Sequence, residues 1–242
     1  MVSAATADFA GLPGAVAVSH LRVYDWPAAD GVRGGTPHVH LTCSEAYVVT
    51  GGRGAVQTLT TSGYEVTPLA PGTVAWFTPG TIHRLVNEGD LRITVLMQNG
   101  GLPEAGDAVL TLPPEHLTDP ETYAAATVIP VDASEEEQAR FARARRDLAL
   151  DGYRALRDAD GPEPLAAFHR AAARLVRPRL AEWRERWLRG AGAAAAVTGD
   201  QLDRLERGDA SHLADAAVRA EQPSAHGRFG MCGRLDVYKG ND

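Results

Sequence analysis

Three histidines and one glutamate are the residues of this chain best suited to do chemistry. His38 and His40 form a His-x-His pair, Glu45 follows five residues later, and His83 comes much further on, four residues before Asn87. Neutral imidazoles suit Fe, Ni, Cu, Zn and Co, and one carboxylate adds charge and a hard donor that also accommodates Mn or Fe. Four protein ligands leave two positions of an octahedral shell open, and a catalytic metal keeps such positions for water, substrate or dioxygen. Each histidine then gives one ring nitrogen to the ion while the other finds an acceptor. Asn87, Gln57 and Gln98 are candidates for that role by position.

These ligands lie in separate strand-like runs, so only a fold that brings two distant hairpins together can use them as one site. Ala15 to Trp26 has the β-branched and aromatic content of a strand. Val39 to Thr50 and Gly54 to Thr60 read as a hairpin across Gly51-Gly52, and Tyr64–Pro68, Thr73–Thr78, Ile82–Asn87 and Leu91–Gln98 supply further short strands. Short strands at this spacing, separated by Gly/Pro turns, indicate an all-β barrel or jelly roll. Trp76 and Phe77 flank the second histidine region, and alternation of strand side chains turns one of them inward.

The stretch from Gly35 to Gln98 resembles the two signature motifs of the cupin superfamily. The first motif reads Gly, a spacer, His-x-His, three or four residues, Glu, six residues, Gly; here it is His38-Val39-His40, Glu45 and Gly52. The second reads Gly, a spacer, Pro-x-Gly, two residues, His, three residues, Asn; here it is Gly72, Pro79-Gly80, His83 and Asn87, with Pro79 and Gly80 adjacent rather than one apart. The match spans about a quarter of the chain. It implies an all-β jelly-roll barrel with an appended helical region, α+β overall, and a metal held by His38, His40, Glu45 and His83. The family includes dioxygenases, decarboxylases, isomerases, epimerases, lyases and binding domains, and fold alone does not choose among them. The intact ligand set argues against a metal-free epimerase. A single lysine weakens a sugar-phosphate isomerase, and one pair of motifs excludes a two-barrel protein. The leading expectation is a mononuclear non-haem iron dioxygenase acting on a small organic acid, phenol or enol. Glu45 is its catalytic residue, a fourth ligand that dissociates and accepts a proton from a substrate hydroxyl. The alternatives are a redox-neutral isomerase or lyase using zinc, manganese or nickel, and a binding or regulatory cupin without catalysis.

At 242 residues, 44% hydrophobic and 23% charged, the chain has the composition of a soluble globular protein. No apolar run approaches the roughly 20 residues of a membrane span. The start, with Asp8 and no early basic residue, does not read as a secretory signal. Cys43 and Cys232 give no disulfide framework, so a cytoplasmic location with free thiols is the expectation. Up to Val131 there are 5 basic and 12 acidic residues, and from Asp132 onward 19 of each, so the net charge of -7 sits in the first half. Neither half has a nucleic-acid footprint. The expected partner is a small-molecule substrate, with no nucleic acid or membrane, in a homodimer.

Residues 1–14 read as a flexible lead-in, and the division expected is a barrel over 1–131, a helical segment over 132–222 and a tail over 223–242. Ser134 to Glu137 is a capping-box pattern opening a helix to about Leu156. An apolar stripe from Leu165 to Trp187 marks a second, which Pro178 kinks or restarts. Gly190–Gly199 reads as a linker, with two short helices following up to Glu221. Leu235-Asp-Val-Tyr238 repeats the pattern of Leu21-Arg-Val-Tyr24, which suggests that the tail returns to the sheet. Arg140, Arg143, Arg145 and Arg146 are expected on a solvated helix face. His20, His116, His169, His212 and His226 are expected outside any site, and Cys43 as a small buried apolar residue.

Overall fold

The computed structural model describes residues 11–239; residues 1–10 of the expected lead-in lie outside them. The strands are β1 (Ala17–Val23), β2 (His38–His40), β3 (Glu45–Thr60), β4 (Gly63–Leu69), β5 (Val74–Phe77), β6 (Ile82–Met97), β7 (Ala108–Leu110), β8 (Ala225–Phe229) and β9 (Gly233–Val237). The α-helices are α1 (Pro120–Thr127), α2 (Glu135–Arg157), α3 (Glu163–Val176), α4 (Leu180–Trp187) and α5 (Ala193–Glu206). All strand pairings are antiparallel, in the order β4-β3-β6-β1-β9-β8, with β2 also bonded to β6 and β7, and β5 to β3. Among the described residues no ladder joins β4 to β8, so the sheet is open where a closed barrel was expected.

The sheet nevertheless folds over on itself. Glu45 pairs with Met97 at one end of the β3–β6 ladder, and Thr58 pairs with His83 near the other. A straight strand would hold those ends about 40 Å apart, at about 3.3 Å per residue. Glu45 Oε2 and His83 Nε2 are 3.0 Å apart, so the ladder must double back between them. The bend falls at register shifts between Val49 and Gly54. There Gly52 has φ +68°, and a Cβ on it would sit 2.0 Å from the Asp90 carbonyl oxygen. Gly51-Gly52 is therefore a bulge within one 16-residue strand, not the hairpin turn expected from sequence. The expected pair of strands over 82–98 is likewise one strand, β6.

Ser134 accepts from the Glu137 amide while Glu137 accepts from the Ser134 amide, completing the capping box that starts α2. Pro178 lies in a 3₁₀ turn (Arg177–Arg179) separating α3 from α4. The expected linker over 190–199 is largely α5, because the alanines at 193–196 are the best helix formers and outweigh the flanking glycines. Of the two short helices expected to follow, one 3₁₀ turn (Ser211–Asp215) is seen. No helix among the described residues is long and apolar enough to cross a membrane. β9 pairs with β1, placing Leu235 opposite Leu21. Ala149, Leu150 and Tyr153 of α2, Phe168 of α3 and Trp183 of α4 belong to the same buried cluster as Val39, Ile82 and Leu85 of the sheet.

Candidate metal centre

The doubled-back ladder gathers the four predicted ligands in one place. His38 lies directly opposite His83 in the β2–β6 pairing, and Glu45 begins β3 opposite Phe77 of β5. One ligand atom from each of His38, His40, Glu45 and His83 lies within 4.8 Å of all the others, and all four residues are buried. His83 Nε2 is 3.0 Å from His38 Nε2 and 3.0 Å from Glu45 Oε2, and His40 Nε2 is 3.4 Å from the same carboxylate oxygen.

Each imidazole is tethered through its other nitrogen. His38 Nδ1 donates to the Thr36 carbonyl at 2.8 Å, His83 Nδ1 to the Thr81 carbonyl at 3.2 Å, and His40 Nδ1 to Asp107 Oδ2 at 3.0 Å. Those bonds place a proton on Nδ1 of each ring, so a ring in its neutral form keeps its lone pair on Nε2. With all three rings neutral, three lone pairs and a carboxylate would converge with no donor among them, around the buried Glu45 Oε2. Such a cluster of acceptors is costly unless a cation sits among them. The set could hold a metal ion.

The electrostatics agree. Burial, followed by the neighbouring His83 and His40 rings, holds His38 well below the usual histidine range, in its neutral, ligating form. Burial also opposes a charge on His40, but its bonds to Asp107 and Glu45 outweigh that and push its pKa up to about 9. Without an ion, a proton on His40 is the cation of this site. Burial would raise Glu45, but His83 and His40 hold it well below the usual carboxylate range. Asp107 is fully buried. Its burial penalty is outweighed by His40 and by Thr42, whose amide and hydroxyl donate to Oδ1 at 2.7 and 2.6 Å.

Asp107 is the functional residue that the sequence reading missed. It lies 67 residues from His40 in an irregular Pro- and Gly-rich stretch, where no local pattern marks it. The three residues expected to support the histidines do other work. Asn87 Oδ1 accepts from the Gly89 and Leu91 amides, bracing the bulged part of β6, while its Nδ2 donates to the Val23 carbonyl. Gln98 accepts from the Ser44 amide. Gln57 Oε1 is buried without a partner.

Of the aromatic pair, Phe77 turns inward, its ring 4.2 Å from that of His83, and Trp76 is 72% exposed. Tyr47 packs edge-on against Phe77 at 5.2 Å. Cys43 is buried, and burial pushes its thiol up, as befits a small apolar residue. His20, His116, His169, His212 and His226 lie outside the cluster. His169 nevertheless touches its surroundings: Nε2 donates to the Gly80 carbonyl at 3.1 Å, and the Gly80 amide donates to the His40 carbonyl. The arginine run departs from its expectation, since Arg146 is 1% exposed and bonded to the Trp26 and Pro27 carbonyls.

No family model matches the chain, and no curated protein does. Several solved structures resemble part of it. The WlaRB TDP-quinovose 3,4-ketoisomerase from Campylobacter jejuni is 14% identical over 34% of this chain and 60% of its own, with a TM-score of 0.29. The nucleoside dehydratase Pac13 from Streptomyces is 16% identical over 37% of this chain and 63% of its own, also at 0.29. An uncharacterized Klebsiella pneumoniae protein with a double-stranded β-helix domain is 23% identical over 36% of this chain and 67% of its own, at 0.26. The chain thus spans less than two thirds of the ketoisomerase and the dehydratase, and the likeness is confined to about a third of this chain.

Proposed function

We propose that the chain is a metal-dependent enzyme of the cupin type, with one divalent transition metal held by His38, His40, Glu45 and His83. We propose further that the metal is iron and the reaction a dioxygenation of a small organic acid, phenol or enol. The observation carrying this reading is the convergence of three Nε2 lone pairs and one carboxylate, each ring locked by an Nδ1 bond. When bound, the ion supplies Lewis acidity and, as iron, one-electron chemistry toward dioxygen.

The remaining work falls to the chain's own side chains. Asp107 fixes the plane and tautomer of His40. Glu45, kept ionised and without a donor on Oε2, accepts the proton of a substrate hydroxyl at that atom. Phe77 and Tyr47 wall the site beside His83 and limit the entry of water. Glu45 also favours a second reading. A buried ionised carboxylate is already a complete base for redox-neutral isomerisation or elimination, with zinc, manganese or nickel as Lewis acid.

The test is oxygen uptake by iron-loaded protein against a panel of catechols, enols and small acids, with Glu45→Gln alongside. Oxygen consumed in proportion to substrate lost, and reduced at least about a hundredfold in Glu45→Gln, supports the dioxygenase, general base catalysis contributing about 10²–10⁴-fold. Substrate turnover with zinc or manganese and no oxygen consumed selects the redox-neutral reading.

A further inference from the structure

Away from the four-ligand cluster, a cleft of about 820 Å³ opens between α1, the start of α2 and the β8–β9 hairpin. That volume lies in the range of small-molecule sites. Its lining mixes apolar side chains, among them Val128, Ile129, Phe229 and Met231, with the guanidinium of Arg145.

Arg145, which is half-buried, differs from the two fully buried arginines. Arg84, 2% exposed, makes two bonds to the Asp30 carboxylate at 2.6 and 3.1 Å. Arg146, 1% exposed, bonds Asp147 at 3.0 Å. Arg145 has no carboxylate within ion-pair distance among the described residues. It donates only to the carbonyls of Thr127 and Gly230, at 3.1 and 2.7 Å, and its Nε is buried without a partner. Its close ionisable neighbours are Tyr24, Tyr123 and Cys232, and burial keeps all three protonated and neutral. The acids in the cleft wall are engaged elsewhere, Glu135 with Arg234 and Glu104 with the Gly101 amide. A cation withdrawn from water without a counter-charge is unfavourable, and proteins pair such groups or use them to bind. Guanidinium geometry matches a carboxylate through two parallel N–H donors.

We infer that this cleft is a binding site for a small monocarboxylate with an apolar body, its carboxylate on Arg145 and its body against Val128, Ile129, Phe229 and Met231. Arg228 also lines the cleft but is exposed to solvent, and Arg234 is paired with Glu135, so the one partly buried guanidinium without a carboxylate calls for one negative charge, and the apolar wall sets the rest of the ligand. None of His38, His40, Glu45 and His83 lines this cleft, and the inference does not rest on the function proposed for them.

Octanoate is the probe, with 1-octanol as its uncharged counterpart, titrated calorimetrically into the full chain freed of metal so that the carboxylate has no ion to chelate. Octanoate should bind at one site at least about tenfold more tightly than octanol. Arg145→Gln should remove that preference. Because Arg145 also ties two carbonyls together, Val128→Asp is the second variant. Val128 is 60% exposed, so the fold should be untouched, and a negative charge at the cleft wall should weaken octanoate at least about fivefold more than it weakens octanol, which loses only the apolar contact. Equal binding of acid and alcohol, no saturable octanoate binding, or unchanged octanoate binding in Val128→Asp would each overturn the inference.

Discussion

The strands and the helices contribute to the candidate centre in opposite ways. Every residue of the candidate ligand set comes from β2, β3 or β6, where pairing register dictates which side chains meet. The helices contribute no ligand among the described residues, yet they grip the backbone on which the site depends. His169 of α3 holds the Gly80 carbonyl, three residues before His83. The Trp183 indole of α4 donates to the Ala105 carbonyl, two residues before Asp107. Thr111, just after β7, donates to the Ala149 carbonyl of α2, and α2 approaches so closely at Gly152 that a Cβ there would sit 2.2 Å from the Thr111 carbonyl oxygen. The contrast separates carrying a ligand from holding it still. The sheet selects the donor atoms, and the helices limit how far the loops behind those atoms can move.

The comparison can be broken at its strongest point first. Leu150 of α2 is fully buried in the core shared with the sheet, so Leu150→Ala should cost about 2–5 kcal/mol. Thermal unfolding followed by far-UV and near-UV circular dichroism should keep one coincident transition. A helix transition separating from the sheet transition would show that the two regions do not share a core.

Asp107→Asn should weaken metal binding about 10–100-fold by loosening His40, and should also lower the melting temperature of the metal-free protein at neutral pH, where Asp107 pairs with the proton on His40. Competition against a chelator reads this directly, and wild-type affinity would show that Asp107 does not orient the ring. The same contact sets a pH dependence. In the metal-free protein His40 is raised from 6.5 to about 9, so its contribution to stability is full below 6.5 and lost as pH rises through 9. Metal must displace that proton, so affinity should rise across the same window. An affinity flat from pH 6.5 to 9 would contradict the assignment. The smallest effect is expected at His169→Ala. Losing one partly buried hydrogen bond should lower stability by about 0.5–1.5 kcal/mol and metal affinity only a few-fold, measured by denaturant titration and the same competition.

The gathering of His38, His40, Glu45 and His83 was legible because its information is local: residue types at fixed spacing, each in a run with strand composition. What failed was information that depends on distant partners. Gly51-Gly52 reads alike as a hairpin turn or as a bulge, and only the continuous register of β3 against β6 decides between them. Asp107 carries no marker, since its role comes from β7 pairing with β2 beside His40. Arg145 and Arg146 look like a solvated helix face because neither the strand tail that covers one nor the loop carbonyls that receive the other are near them in sequence. Leu235, by contrast, could be matched to Leu21 by pattern alone, and β9 does lie beside β1.

The most direct measurement is the metal content of protein purified anaerobically without added metal, with His83→Ala and His116→Ala in parallel. About one equivalent of a transition metal per chain, kept in His116→Ala and lost in His83→Ala, is the result this account predicts. Metal absent from the wild type even after reconstitution, or retained in full by His83→Ala, would contradict it.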